Sequence, residues 1–275
     1  MKILAVSGGI DSVVMLHYLR NDPEVIVAHF DHGIRPNSAD DCAFVKRLAE
    51  KYGKPFVFER AELGESCSEA AAREARYAFL KRIAKEHNGQ IYVAHHADDV
   101  IESITINILR GTGWRGLAPM SNPDVARPLK EWTKADIYRY ATENQLSFRQ
   151  DQTNTEGDYL RNRVRERLRF ANEIDKEQLL KLYEKQCNIK SEADEILASL
   201  SRDNRYSREL AKLDIAVELI RSILANQDVK LTRPQLDNCK KAILEFAPGK
   251  RFSLDRDHFL LIERYSFLVE KVQEC

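Results

Sequence analysis

Met1-Lys2-Ile3-Leu4-Ala5-Val6-Ser7-Gly8-Gly9-Ile10-Asp11-Ser12 is followed by an apolar stretch, Val13 to Leu19, at helical spacing. Ile3 to Val6 reads as a buried parallel strand. Strand, glycine turn and helix make an arrangement that holds phosphate. Glycine lacks a Cβ, so the backbone can approach an anion and adopt positive φ. The amides that open a helix have no intrahelical partner, and the helix dipole favours negative charge there. Ser7 and Ser12 add hydroxyl donors. Asp11 is repelled by phosphate unless a cation lies between, which points to Mg²⁺ held at Asp11.

The turn is not a Walker loop, because G-x-x-x-x-G-K-[ST] and its lysine are missing, and it is not G-x-G-x-x-G. Ser-Gly-Gly-x-Asp-Ser resembles the PP-loop of the ATP pyrophosphatases. That resemblance implies cleavage of ATP between the α and β phosphates and transfer of AMP to an acceptor oxygen.

Strands and helices alternate outward from this turn. Strands are predicted at 3–6, 24–30, 55–58 and 90–94, and helices at 12–20, 39–52, 68–87 and 98–109. Ser38 is read as the cap of the second helix, and Ser66 or Ser68 as that of the third. This order predicts a Rossmann-like, doubly wound parallel sheet with helices on both faces. Ligands then sit beyond the carboxyl ends of the strands. Residues 7–12, 29–35 and 95–102 should therefore surround one cleft. The loop 111–116, rich in glycine, is long for a mere connection. An edge strand is expected near 125–129, an amphipathic helix over 133–144, and a charged helical pattern from 158 to about 200. The polar stretch 203–208 reads as a linker. Helices at 214–225 and 234–246 and short strands near 251–254, 259–262 and 267–269 complete a small α+β module. The domains are expected at 1–202, catalytic with a helical extension, and 209–275.

With 275 residues, 43% hydrophobic and 31% charged, the composition is that of a globular protein with room for a large and a small domain. No apolar run has membrane-spanning length, and the first strand leaves no room for a signal peptide, so a cytoplasmic protein without membrane contact is expected. The five cysteines form no C-x-x-C pair, which disfavours zinc and iron–sulfur sites. Forty-three basic residues balance forty-three acidic ones. That balance argues against a globally nucleic-acid-binding surface but not against a local basic patch.

Three further segments carry chemistry. The loop Phe30–Ser38, with Asp31, either contacts the adenosine or is a solvated glycine turn. Ala94-His95-His96-Ala97-Asp98-Asp99-Val100-Ile101-Glu102-Ser103 gathers acids where a strand becomes a helix. Asp98 and Glu102 are i, i+4 and Asp99 and Glu102 are i, i+3, so either pair shares a face and a negative pocket able to hold a cationic amine is expected. The alternative is acids that complement the helix dipole. H-H-x-D-D lacks the zinc spacing H-E-x-x-H. Arg161, Arg163, Arg165, Arg167 and Arg169 alternate along a helical segment. Arg161, Arg165 and Arg169 fall on one face, a spacing that suits a phosphodiester track. The rival is a salt-bridged face, for which the run itself offers only Glu166.

These motifs, with Glu69-Ala70-Ala71-Ala72-Arg73-Glu74-Ala75-Arg76-Tyr77, Arg110-Gly111-Thr112-Gly113-Trp114-Arg115-Gly116-Leu117 and Asp151-Gln152-Thr153-Asn154, occur in unbroken order over about 1–170. Together they resemble the tRNA(Ile)-lysidine synthetase family. Ser103 stands where that family usually has threonine. The tail around Gly249-Lys250-Arg251-Phe252 resembles the family's appended tRNA-contacting module.

The resemblance implies a ligase using ATP and Mg²⁺. It adenylates the C2 oxygen of the wobble cytidine in the CAU anticodon of tRNA(Ile), and the ε-amine of free L-lysine then attacks C2 to give lysidine, AMP and diphosphate. Ser7, Gly8, Gly9, Ile10, Asp11, Ser12, His29 and Asp31 would bind ATP. Arg73 or Arg76 would stabilise the leaving group. Asp99 and Glu102 would bind lysine, and His95 or a carboxylate would take its proton. Arg110, Arg161, Arg163 and Arg165 would contact tRNA. Oligomeric state is left open, a homodimer included. The rivals are a PP-loop tRNA thiolase, which needs a persulfide cysteine or an iron–sulfur cluster, and a binding protein without turnover.

Overall fold

The computed structural model describes residues 1–33, 38–61, 69–149, 159–168, 170–200 and 204–271. Two compact units result, Met1–Cys187 and Asn188–Cys275. Residues 34–37, Ser66, Ser68, 151–154 and Arg169, all used in the sequence reading, lie outside the described residues.

In the first unit, β1 (Lys2–Ala5), β2 (Val25–Asp31), β3 (Phe56–Arg60), β4 (Gln90–Tyr92) and β5 (Val125–Ala126) form one sheet in the order β3-β2-β1-β4-β5. Every pairing is parallel. Successive side chains on a strand face opposite ways, and the core divides accordingly. Leu4, Val6, Val25 and Val27 pack with Val14 and Met15 of α1 (Ile10–Tyr18), Val45 of α2 (Ser38–Lys51) and Ile137 of α5 (Lys134–Glu143). Ile3, Ile26, Ala28 and Ile91 pack with Phe79, Leu80 and Ile83 of α3 (Glu69–Glu86). The sheet is doubly wound, as the βα alternation predicts. The chain leaves β1 toward β2 and β3, then returns through α3 to β4 on the other side of β1. The direction of winding thus reverses between β1 and β4, where such folds hold ligands.

α4 (Ala97–Leu109) follows β4, and a 3₁₀ turn, Trp114–Leu117, occupies the glycine-rich loop. The pattern expected to run helical from 158 to 200 is two helices, α6 (Tyr159–Leu168) and α7 (Glu173–Leu200). Asn172 explains the restart: its Oδ1 accepts the Asp175 amide at 2.8 Å, an N-cap.

In the second unit, β6 (Arg205–Ser207), β7 (Arg251–Ser253), β8 (His258–Ile262) and β9 (Ser266–Lys271) form an antiparallel sheet in the order β6-β9-β8-β7. The stretch read as a linker at 203–208 thus contains a strand. Its one inward residue, Tyr206, is buried between two exposed neighbours and stacks on Phe267, which is too little apolar pattern to reveal a strand. α8 (Ala216–Ala225) and α9 (Arg233–Glu245) supply Ile220, Ile223, Leu236 and Ile243 to the same core as Leu260 and Phe267. Arg208 donates to the carbonyls of Ile243, Leu244 and Phe246, which satisfies the carboxyl end of α9.

Candidate functional site

The turn after β1 is shaped by Ser12. Its Oγ accepts the amides of Ser7 and Gly8, both at 3.2 Å, and donates to the Gly9 carbonyl at 2.9 Å. The Ser7 hydroxyl accepts the Gly9 amide at 3.4 Å, so both serine hydroxyls act first on the loop itself. Gly8 has φ +94°, and a Cβ there would meet Phe44 at 3.4 Å and Val45 at 3.5 Å. Only glycine takes that backbone without strain. Gly9 caps α1, and the Val13 amide donates to its carbonyl, so Ile10, Asp11 and Ser12 present the orphan amides of the first turn. Arg149 closes the outer side, its amide donating to the Gly8 carbonyl at 2.9 Å.

Across the switch point stands the start of α4. His96 caps the helix, and Asp99 reaches back to accept the His96 amide at 3.0 Å. The buried His96 ring lies 3.9 Å from Asp11, 3.6 Å from Asp98 and 3.5 Å from Asp99. These distances exceed hydrogen bonds, so the attraction is that of ion pairs. Burial opposes protonation of His96, but the carboxylates of Asp98, Asp99 and Asp11 together raise its pKa above the ordinary value. His96 also holds Asp98 below the usual carboxylate range against burial, helped by the Lys134 amide, which donates to Asp98 at 2.7 Å.

Lys134 carries the feature that no motif reveals. Its Nζ donates to Asp11 Oδ1 at 2.5 Å. The loop lacks the lysine of a Walker motif, and the first turn of α5 brings one to it from 123 residues away. Thr133 and Asp136 fix that turn as a capping box. A cation in a first turn opposes the helix dipole. That local conflict was the available signal.

His95 faces the opposite charge. Burial, then Arg127, Arg73 and Arg76, depress its pKa to about 3. The structure thus gathers Arg73 and Arg76 about His95 and adds Arg127, which sequence reading missed. Arg127 is itself shifted down by burial and donates to the Val125 carbonyl at 2.7 Å. His29 is buried, with Nδ1 donating to the Val6 carbonyl at 2.8 Å. Asp31, also buried, accepts the Gly33 amide at 2.9 Å.

Residues 2–172 match the PP-loop domain family. This chain belongs to the PP-loop family. It is 40% identical over 172 residues to the tRNA(Ile)-lysidine synthase of Thermus thermophilus, covering 59% of this chain and 34% of that protein. It is 31% identical over 251 residues to the tRNA(Ile)-lysidine synthase of Bacillus subtilis, covering 84% of this chain and 53% of that protein. The chain thus spans about a third to a half of the length of these two relatives. Among solved structures, a U34-tRNA thiolase from Methanococcus maripaludis aligns with a TM-score of 0.56 at 19% identity, over 68% of this chain and 72% of that one. That likeness is one of fold.

Beside the PP-loop, Glu102 is only 4% exposed and does not stand open. Arg165 of α6 grips it with a fork, Nε to Oε1 at 2.7 Å and Nη2 to Oε2 at 3.2 Å, and Arg161 Nε lies 3.5 Å away. The counter-charge for the arginine run comes from α4, out of reach of any local pattern. Arg163 is exposed on α6, and Arg110 is exposed at the carboxyl end of α4. Among the described residues, no helix is long and apolar enough to cross a membrane.

Proposed function

We propose that this chain forms lysidine on tRNA(Ile), the activity that its relatives' names carry. The observation that supports it is that two opposite kinds of group meet where the winding of the sheet reverses. An anion-binding turn ends β1, and a carboxylate cluster follows the neighbouring β4, with Asp11 3.9 Å from His96 between them. An ATP phosphate chain suits the turn and an amine the cluster.

In this reading the C2 oxygen of the wobble cytidine attacks the α-phosphate, and the bond to pyrophosphate breaks. The first-turn amides of α1, with Lys134, Arg73, Arg76 and Arg127, stabilise charge growing on the departing pyrophosphate. His29 and Asp31, at the end of β2, flank the adenosine. The lysine amine then attacks C2 and AMP leaves. An ammonium of pKa about 10.4 must first lose its proton. Burial and the surrounding arginines make His95, with a pKa of about 3, a weak acceptor for that proton. Asp99 and Glu102 hold the amine, and Arg110, Arg161, Arg163 and Arg165 meet the RNA.

Mg²⁺ fits this donor set. It takes one or two carboxylates and completes its shell with phosphates and water, and Asp11, a third exposed beside the turn, offers such a carboxylate. Asp11 would hold the ion, which would supply positive charge against the phosphates of ATP.

The test is pyrophosphate release and labelled-lysine incorporation with tRNA(Ile), lysine and ATP, each omitted in turn. Stable label in the RNA only when all three are present is expected. Sulfur incorporation, or RNA binding without pyrophosphate release, would replace this reading with one of its rivals.

A further inference from the structure

Glu102 is assigned above to the amine of lysine, and Arg165 to the RNA, yet here they hold each other. This deeply buried carboxylate already faces two guanidiniums, Arg165 forked on both oxygens and Arg161 at 3.5 Å, so an ammonium must displace one of them to reach it. Removing Arg165 without a replacement leaves Glu102 with only the looser Arg161 contact, which is unfavourable for a buried carboxylate. Arg165 and Arg161 differ from Glu102 in one respect: their side chains are 41% and 36% exposed, so they extend from the buried carboxylate to solvent. Val164, only 3% exposed, anchors α6 between them.

Two ligands resolve the conflict best together. A phosphodiester offers the guanidiniums another anion, and an ammonium offers Glu102 another cation. Lysine alone must compete with a forked guanidinium for Glu102, whereas RNA that holds Arg165 removes that competitor and leaves a place beside Arg161 for the ammonium. We infer that Arg165 plugs the lysine subsite in the free protein, and that RNA phosphate, by drawing Arg165 off Glu102, opens it. The inference rests on the function proposed above and adds an order to it: lysine binds well only after RNA has docked. The amine is thereby kept from the adenylating centre until its acceptor is present. Linkage makes the effect reciprocal, so lysine strengthens RNA binding by the same factor.

Equilibrium dialysis of labelled lysine against the full chain, without ATP and at fixed salt, tests this. A saturating anticodon stem-loop bearing CAU should tighten the lysine Kd about fivefold or more, in the usual range of such couplings. Arg165→Met should tighten lysine binding without RNA and shrink the RNA effect toward unity. An equal lysine Kd with and without the stem-loop in the wild-type protein overturns the plug, and that arm needs no variant to fold. Glu102→Gln separates the two readings. If it abolishes lysine binding while the stem-loop has no effect on the wild type, the subsite stands and the plug falls. If Glu102→Gln binds lysine as the wild type does, the subsite assignment fails and the plug with it.

Discussion

Replacing Lys134 by methionine should slow the reaction far more than it loosens the fold. The substitution keeps the aliphatic stem over Tyr138, 5.5 Å from ammonium to ring centroid, and removes the cation that faces Asp11. The two side chains of this pair are 36% and 34% exposed, so water screens their attraction. A screened pair contributes at most about 1 kcal/mol to stability. For a unit of this size that is a fall of no more than roughly 4 °C in Tm. Charge forming on departing pyrophosphate is another matter. Two unit charges about 4 Å apart in a partly desolvated cleft interact by about 4 kcal/mol. Losing one preorganised donor of this kind costs a factor of about 10² to 10³ in kcat. Pyrophosphate release with saturating tRNA, lysine and ATP, read beside a thermal melt, measures both. Lys134→Arg keeps the charge and should recover most of the rate. Turnover of Lys134→Met within about threefold of wild type would refute the argument, and so would a fall in Tm large enough to account for the lost activity.

Other perturbations separate the remaining roles. Asp11→Ala should abolish ATP turnover while tRNA affinity persists; unchanged turnover would remove Asp11 from the metal and phosphate chemistry. Gly8→Ala forces a side chain onto φ +94° against Phe44 and Val45, and should cost about 1–3 kcal/mol and weaken ATP binding, as denaturant melts and nucleotide titration will reveal. The two histidines should respond to pH in opposite senses. His95 folds with a pKa of about 3, below its ordinary 6.5, so its neutral form favours folding above pH 6.5 and stability drains as pH falls toward 3. His96 folds with a raised pKa, so its contribution is complete below 6.5 and is lost as pH climbs through the raised value. Imidazole proton shifts followed by NMR should show His95 flat from pH 8 to about 5 while His96 titrates above its ordinary value, and a His95 midpoint near the ordinary value would contradict its placement. Arg161→Ala with Arg165→Ala should lower the salt slope of tRNA binding by about two and destabilise the fold, because Glu102 loses both partners. Adding Glu102→Gln should restore stability but not RNA affinity; an unaltered salt slope would turn this helix away from RNA.

Local chemistry already specified a great deal. Ile3 to Val6, the glycines and the periodic apolar run after them contain their own instructions, since a strand period, a positive-φ turn and an orphan helix start are properties of adjacent residues. The alternation that follows implied a parallel sheet wound on both sides, and the sheet has that form. The acids at 98, 99 and 102 declared themselves by helical spacing. What stayed hidden depends on residues brought together from far along the chain. Lys134 reaches Asp11, Arg127 joins Arg73 and Arg76 around His95, and Arg165 seizes Glu102 across 63 positions. Desolvation is likewise a property of the packed state: the same imidazole at position 95 or 96 gains or loses basicity according to which charges the fold aims at it. The sequence by itself thus determined the strand, the turn and the set of charged groups. Only the tertiary structure decided which charge meets which, because ion pairs form where backbones converge and no periodicity along the chain records that convergence.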